Sequence, residues 1–476
     1  MQILTSSKPS GRLRGAAVSV LALAVAVLLT SCANRERSVY DPLARQIAQQ
    51  IAQQSGVGAG PGFGMPGIRG QGGYLPIQPR TAPIPQGLQL GIDVLARNNF
   101  DILQGKRVGL VCHQPSVAAN GTHTRMVLHR APQVNLVALY TPEHGLDGKA
   151  LAGRKVSTIR DSATGLTAYS LYADTRKPTK AMLAGIDVLV VDLQDIGSRS
   201  YTYISTMGRC LEACGESGKE MIVLDRPNPL GGMRVHGPPL ERRWRSFVGE
   251  FPVPFIHGMT MGELAMMAHG EGWMKSRPKL QVVKMQNWDR RMSWEDTRLR
   301  WVPTSPNIPH ASSSFHYAAT GVLGGAHGVD IGIGTETPFG YAGARGINAN
   351  SFVAAMKSKG FHGVWFSPYS RNGFSGARIT ISKDSTADLM ALDCELTSEL
   401  NKMKGGAVIS GMAGNKLDLF NKVYGSDSLA NDLRRGRPVR DIVASWQAGH
   451  AKFRLVRRPY LLYPEPQLMK PQVSVR

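Results

Sequence analysis

Four carboxylates, Glu143, Asp192, Asp195 and Asp225, each stand at or just past the end of a short apolar run. VNLVALY (134–140) leads into Thr141-Pro142-Glu143-His144-Gly145. DVLVVDLQ (187–194) leads into Asp195, Arg199, Tyr201 and Tyr203, and MIVLD (221–225) into Arg226, Pro227 and Asn228. A fourth run, RVGLVCH (107–113), ends in Gln114 and Ser116. Carboxyl groups give and take protons in catalysis, and guanidinium groups hold carboxylates in a two-pronged grip. Each carboxylate also has a structural alternative, as a partner of Arg199 or Arg226 or as a helix cap. Tyr201 and Tyr203 suit stacking on a ligand face and equally suit the core.

Runs this short and this rich in Val, Leu and Ile, separated by helix-length segments, read as buried strands of a parallel sheet. The spacing predicts a helix over 91–103, strand 107–112, helix 121–130, strand 134–140 and a short strand at 169–172. Helix 178–184, strand 187–193, helix 201–216 and strand 220–225 follow. Such alternation specifies a doubly wound α/β sheet, whose strands end along one shared edge. That edge is the candidate active site.

Beyond residue 230 the alternation loosens. Helices are expected at 262–274, 385–403 and 437–449, strands at 280–285 and 377–382, and a glycine-rich strand and loop at 324–340. Prolines 303, 306 and 309 exclude regular structure between. This is a smaller α+β domain. The chain therefore divides into 1–32, 33–87, 88–250 and 251–476.

The first of these segments is a targeting signal. Lys8, Arg12 and Arg14 precede an apolar run from Ala16 to Leu29 that closes on Thr30-Ser31-Cys32, which resembles a bacterial lipoprotein signal with Cys32 as the lipidated residue. A plain signal peptide is the alternative, and the run is short for a span of about 20 residues. Ala33 follows the cysteine, so the expected location is the cell envelope, lipid-anchored on the periplasmic face of the outer membrane. Residues 33–87 are rich in Gly, Pro and Gln and read as a tether. The formal charge of +22 and pI near 10.0 are spread along the chain, which suits an anionic envelope and argues against a nucleic-acid arm. Of the other cysteines, Cys210 and Cys214 lie one helical turn apart, too wide for a disulfide, and are expected as buried thiols.

Other templates fail on spacing. GESGK (215–219) lacks the phosphate-loop pattern, and no G-x-S-x-G elbow occurs. CHQPSVAANG stands where a dinucleotide fold carries its glycine fingerprint. His113, His144 and His257 show no convergent metal spacing, so neither metal nor cofactor is expected.

Seven motifs in register resemble one family. GIDVL (91–95), the 141–145 motif, VDLQDIGSRSYTY (191–203), Asp225-Arg226-Pro227-Asn228-Pro229, GMTMGELA (258–265), NWDRRMSW (287–294) and SPNIP (305–309) are together similar to the NamZ-type (YbbC-like) exo-β-N-acetylmuramidase family. The resemblance runs from about residue 88 to the C-terminus. It implies a Rossmann-like domain without a nucleotide, followed by the smaller α+β domain. It also implies a glycosidase site that releases terminal N-acetylmuramic acid from peptidoglycan fragments, with Glu143 as catalytic acid. Glycoside hydrolysis uses such an acid with a second carboxylate, about 5 to 5.5 Å away for retention or about 6.5 to 9.5 Å for inversion. The substrate's acetamido oxygen can also act as nucleophile, and the sequence leaves these courses open. Asp192 and Asp195 are the candidates for the second group. His144, Gln114, Arg199, Tyr201, Tyr203, Asp225, Arg226, Asn228 and Asn307 are candidates for binding substrate, with Arg199 or Arg226 reading the lactyl carboxylate of muramic acid.

The departure from the family pattern is at 324–340. Relatives carry a glutamate and an arginine where this chain has Gly325-Ala326-His327-Gly328 and Gly332-Ile333-Gly334-Thr335 before Pro338-Phe339. Glu336 is near but out of register. The rival function is a non-catalytic peptidoglycan-binding lipoprotein, which the basic charge and the altered loop would suit.

Overall fold

The computed structural model describes residues 87–465; the signal, Cys32 and the tether lie outside them. Four Val and Leu residues in a row, Val188–Val191, cannot send only one face inward, so they require cover on both sides. This strand, β5, sits fourth of the chain-ordered parallel strands β1 (Arg107–Val111), β2 (Asn135–Thr141), β4 (Thr167–Ser170), β5, β6 (Glu220–Leu224) and β9 (Leu280–Val283). With the antiparallel edge strand β3 (Ile159–Arg160) the sheet order is β3-β4-β2-β1-β5-β6-β9.

The two-residue strand period divides the side chains between two cores. Val108, Leu110, Val188, Val190, Ile222 and Leu224 pack with Ile92, Leu95 and Leu128 from helices Gly91–Arg97 and Thr124–Arg130. Val111, Leu189, Val191, Met221 and Val223 pack on the other face with Ile204, Met207, Leu211 and Leu264 from helices Tyr203–Glu216 and Met261–Gly270. The expected helix over 91–103 ends at Arg97, because Asn99 and Phe100 turn left-handed (φ 55° and 54°) and a 3₁₀ turn follows.

The first sheet runs past the boundary expected at 250, since β9 pairs in parallel with β6 through Met221 to Leu224. Two short strands, β7 (His236–Pro239) and β8 (Pro254–Ile256), pair with each other beside it. A second sheet is antiparallel, in the order β10 (Val329–Asp330), β11 (Tyr341–Arg345), β13 (Phe374–Ile381), β12 (Val364–Arg371). Helices Ser313–Thr320, Ala349–Lys357 and Leu389–Met403 cover it and form the third core. Cys112, Cys210, Cys214 and Cys394 are buried free thiols. Among the described residues no helix is long and apolar enough to cross a membrane.

Candidate functional site

The chain builds β1 and then moves to one side of it for β2 and β4 before returning to the other side for β5, β6 and β9. Beyond the carboxyl ends of β1 and β5, therefore, the connections leave in opposite directions, and such a switch point is where an open α/β sheet usually carries its ligand crevice. His113, Gln114, Asp192, Gln194 and Asp195 leave the sheet at this point, and Glu143 follows the adjacent β2.

Glu143 is buried, with 7 % of its surface exposed. One oxygen accepts from the Gly153 amide at 2.8 Å and the other from the Thr202 hydroxyl at 2.8 Å. The turn that presents it has left-handed His144 (φ 71°) and Gly145 (φ 80°) in succession, a conformation that suits glycine and is uncommon for histidine. His144 is held there by its Nδ1, 2.7 Å from the Ala150 carbonyl. Near it lies Tyr172, whose hydroxyl is pushed up to about 12 by burial first and then by the charge of Glu143.

Asp195 has a different environment. One oxygen accepts from the Gly197 amide at 2.7 Å, while the other is buried without a partner. Burial raises its carboxyl from 3.8 to about 7 against the two backbone amides that oppose the shift. Near neutrality Asp195 therefore holds a proton for much of the time. A small cavity beside it is lined by Gly197, Arg226, Asn228, Met259 and Thr260.

Glu143 and Asp195 act on the same aromatic group. Both charges bear on the hydroxyls of Tyr203 and Tyr317. Tyr201 meets Tyr203 edge-on at 4.9 Å and Tyr317 at 5.9 Å, and Tyr317 meets Phe339 at 4.9 Å. Tyr203 donates to the Thr304 carbonyl at 2.6 Å and Tyr201 lies 2.7 Å from the Thr304 hydroxyl. The irregular proline segment and the altered 324–340 loop thus both reach the crevice wall. The two tyrosines are more than 90 % buried, so their place is in this wall, with edges rather than open faces toward a ligand. Asn307 is half-buried on the same proline segment, and Gln114 is half-buried against Gly148. Glu336 is exposed.

Four of the expected site residues, Asp192, Arg226, Asp225 and Arg199, are bonded into the frame. Asp192, fully buried, pairs with Arg226 through two bonds, one of 2.8 Å, and accepts from Thr124. The Nη2 of Arg226 also donates to the Val117 carbonyl at 2.9 Å, so this pair orders the ends of β1, β5 and β6, and only Nη1 of Arg226 has no bond. Asp225 accepts from Thr260, Gly262 and Tyr463 at 2.8, 2.7 and 2.6 Å and sits at the N-terminus of helix Met261–Gly270, where the helix dipole favours a negative group. Arg199 does not face the crevice. Its backbone amide bonds Phe255 at 2.7 Å within a bridge to β8, which turns the fully buried guanidinium onto the carbonyls of Pro238, Val253 and Tyr424 at 2.9, 2.7 and 2.6 Å. Asn228 bonds the Leu230 amide and the Met259 carbonyl and shapes the cavity from its rim.

Sequence reasoning missed Thr202, Tyr172, Tyr317 and the Gly153 amide as neighbours of the carboxylates. Thr202 stands between the two singled-out tyrosines, and Tyr172 ends an expected strand at the same sheet edge, so position alone could have marked both. No three His, Cys, Asp or Glu side chains converge on a metal-sized space among the described residues.

Comparison with known proteins gives two consecutive family matches. A model described as exo-β-N-acetylmuramidase NamZ, N-terminal, matches residues 108–312, and its C-terminal counterpart matches 315–463. The peptidoglycan β-N-acetylmuramidase NamZ of Bacillus subtilis (strain 168) is 37 % identical over 398 residues, covering 81 % of this chain and 93 % of its own. Two crystal structures of DUF1343 family proteins from Bacteroides fragilis NCTC 9343 share the fold. One has a TM-score of 0.74 at 39 % identity, covering 79 % of this chain and 99 % of its own; the other has 0.65 at 27 %, covering 80 % and 100 %.

Proposed function

Since the chain belongs to the NamZ exo-β-N-acetylmuramidase family, we propose that it is an exo-acting glycoside hydrolase that releases terminal N-acetylmuramic acid from peptidoglycan fragments. The observation that carries this reading at the level of chemistry is a pair of buried carboxyls, Glu143 and Asp195, in unlike environments around one tyrosine cluster. Glycosidases divide proton transfer and charge stabilisation between two such groups.

In this reading Glu143 protonates the leaving oxygen. The Gly153 amide fixes one oxygen of the carboxyl, and the oxygen that faces the Thr202 hydroxyl carries the proton, the hydroxyl then turning from donor to acceptor. Asp195 is the second carboxyl. Its unpartnered oxygen is buried, and the residue lines the small cavity beside it. Asp192 leaves the catalytic set because Arg226 and Thr124 occupy both its oxygens. The non-catalytic rival gains no support, since the 37 %-identical relative is itself a muramidase.

The test is Glu143→Gln, which keeps the shape and cannot give up a proton. Turnover of a muramide with a poor leaving group should fall by about 10² to 10⁴, and an aryl muramide, whose leaving group departs without protonation, should be affected less. Turnover of natural muropeptides near the wild-type rate would move the acid to Asp195.

We also propose that the protein is held at the cell envelope by lipid on Cys32, on the strength of Lys8, Arg12, Arg14 and the apolar run ending at Leu29. Intact mass of the mature protein decides it. A Cys32→Ala protein that was still processed and membrane-bound would contradict it.

A further inference from the structure

Arg199 is turned onto carbonyls, and the two-pronged grip of Arg226 is taken by Asp192 with only Nη1 left, so neither offers a guanidinium fork to the lactyl carboxylate that distinguishes a muramide from a glucosaminide. We propose that Arg176 is that reader and sets the preference of the site for an N-acetylmuramide. The inference rests on the glycosidase reading and adds to it the residue that selects the sugar.

Residues 171–176 leave β4 at the same sheet edge as Glu143 and Asp195. The Arg176 guanidinium lies over the Tyr172 ring, 3.4 Å from its centre, with the Phe247 ring 5.3 Å away on a second side. The hydroxyl of that same Tyr172 feels both the charge of Glu143, which raises it, and that of Arg176, which lowers it. One tyrosine therefore stands between acid and cation.

The guanidinium is also uncommitted. Arg176 is half-buried, and its Nη1 is enclosed without an acceptor. Asp174, two residues before it, pairs with Lys155 at 2.8 Å, and Glu216 and Glu212 pair with the adjacent Lys177 at 2.8 and 3.3 Å. A stacked guanidinium that no carboxylate holds and that is half-exposed keeps its outward N–H groups for a carboxylate and has little freedom left to lose on binding it.

The experiment compares wild type, Arg176→Met and Arg176→Lys on three aryl glycosides: the N-acetylmuramide, its neutral lactyl methylamide and the N-acetylglucosaminide. In parallel, calorimetry measures binding of free N-acetylmuramic acid and of N-acetylglucosamine. Arg176→Met should raise KM for the muramide by roughly 10- to 100-fold, the value of a charge-assisted pair. Its kcat should fall by less, and KM for the methylamide should hardly move. Arg176→Lys should recover part of the loss. An unchanged muramide KM, or equal losses on acid and amide, would overturn the assignment. Should wild type hydrolyse none of the three, the glycosidase reading falls, and calorimetry alone decides Arg176. Wild-type binding of N-acetylmuramic acid that is lost in Arg176→Met sustains it; equal binding, or none, removes it.

Discussion

Asp195 shows how burial rather than residue type decides what a carboxyl can do. The same side chain at the surface would be ionised at neutral pH, whereas here desolvation carries it to about 7. A carboxyl whose folded pKa is raised keeps its proton longer in the folded chain than in the unfolded one. Its stabilising contribution is thus complete below the unfolded value of 3.8 and is lost as pH rises through about 7. Asp195→Asn has no proton to lose. Denaturant midpoints of variant and wild type should accordingly diverge in favour of the variant between about pH 4 and pH 7, then run parallel, with a total on the order of a few kcal/mol. Glu263 and Asp393, also raised to about 7 by burial, lower both proteins' stability over the same window, so the difference between the two curves is the informative quantity. Curves that stayed parallel throughout would mean that Asp195 is ionised in the folded protein.

At the scale of elements, the segment 196–203 shows how one strand end can serve two purposes. Ser198 and Arg199 join β8, while Thr202 reaches Glu143 and Tyr203 opens the following helix. Arg199 ties β7, β8 and the end of helix Gly414–Tyr424 together through their carbonyls. Replacing it by methionine keeps the bulk and leaves three buried carbonyls without a donor. The expected loss is roughly 3 kcal/mol or more in a denaturant titration, with KM for a muramide unchanged in the fraction that remains folded. A selective rise in KM without loss of stability would return Arg199 to the binding site.

At the scale of the molecule, the last described residues close the first sheet. Tyr463 donates to Asp225 at 2.6 Å and accepts from the Met285 amide at 2.9 Å, and the Leu462 amide bonds Glu263 at 2.9 Å. Glu263 is itself in a fully buried pair with Arg290 at 2.9 Å. A segment more than 200 residues away thus completes the hydrogen bonding of β6 and the helix that follows it. Tyr463→Phe should cost about 1 to 3 kcal/mol, the penalty for a buried acceptor deprived of a donor, and hydrogen exchange at residues 221–225 should quicken with little change in kcat. If kcat fell without loss of stability, Asp225 would belong to the chemistry after all.

The parallel sheet, its order of elements and the edge on which Glu143 and Asp195 lie were legible in the sequence, because wholly apolar strands alternating with helices admit few other arrangements. The motifs were legible too, since they are local. Which carboxylates are free was not. Asp192, Asp195 and Asp225 all end apolar strands and differ only in what folding brings to them: Arg226 and Thr124 to the first, two amides and an empty oxygen to the second, Tyr463 and a helix N-terminus to the third. Apart from the amides next to Asp195, these partners come from 30 to more than 200 residues away and leave no periodicity behind. The same holds for the arginines, of which the two in the motifs are locked into the frame and the one outside them, Arg176, is left open by its neighbours' lysine pairs. Sequence patterning reports which face of an element is buried; which polar groups stay unpaired there is decided only when the elements meet.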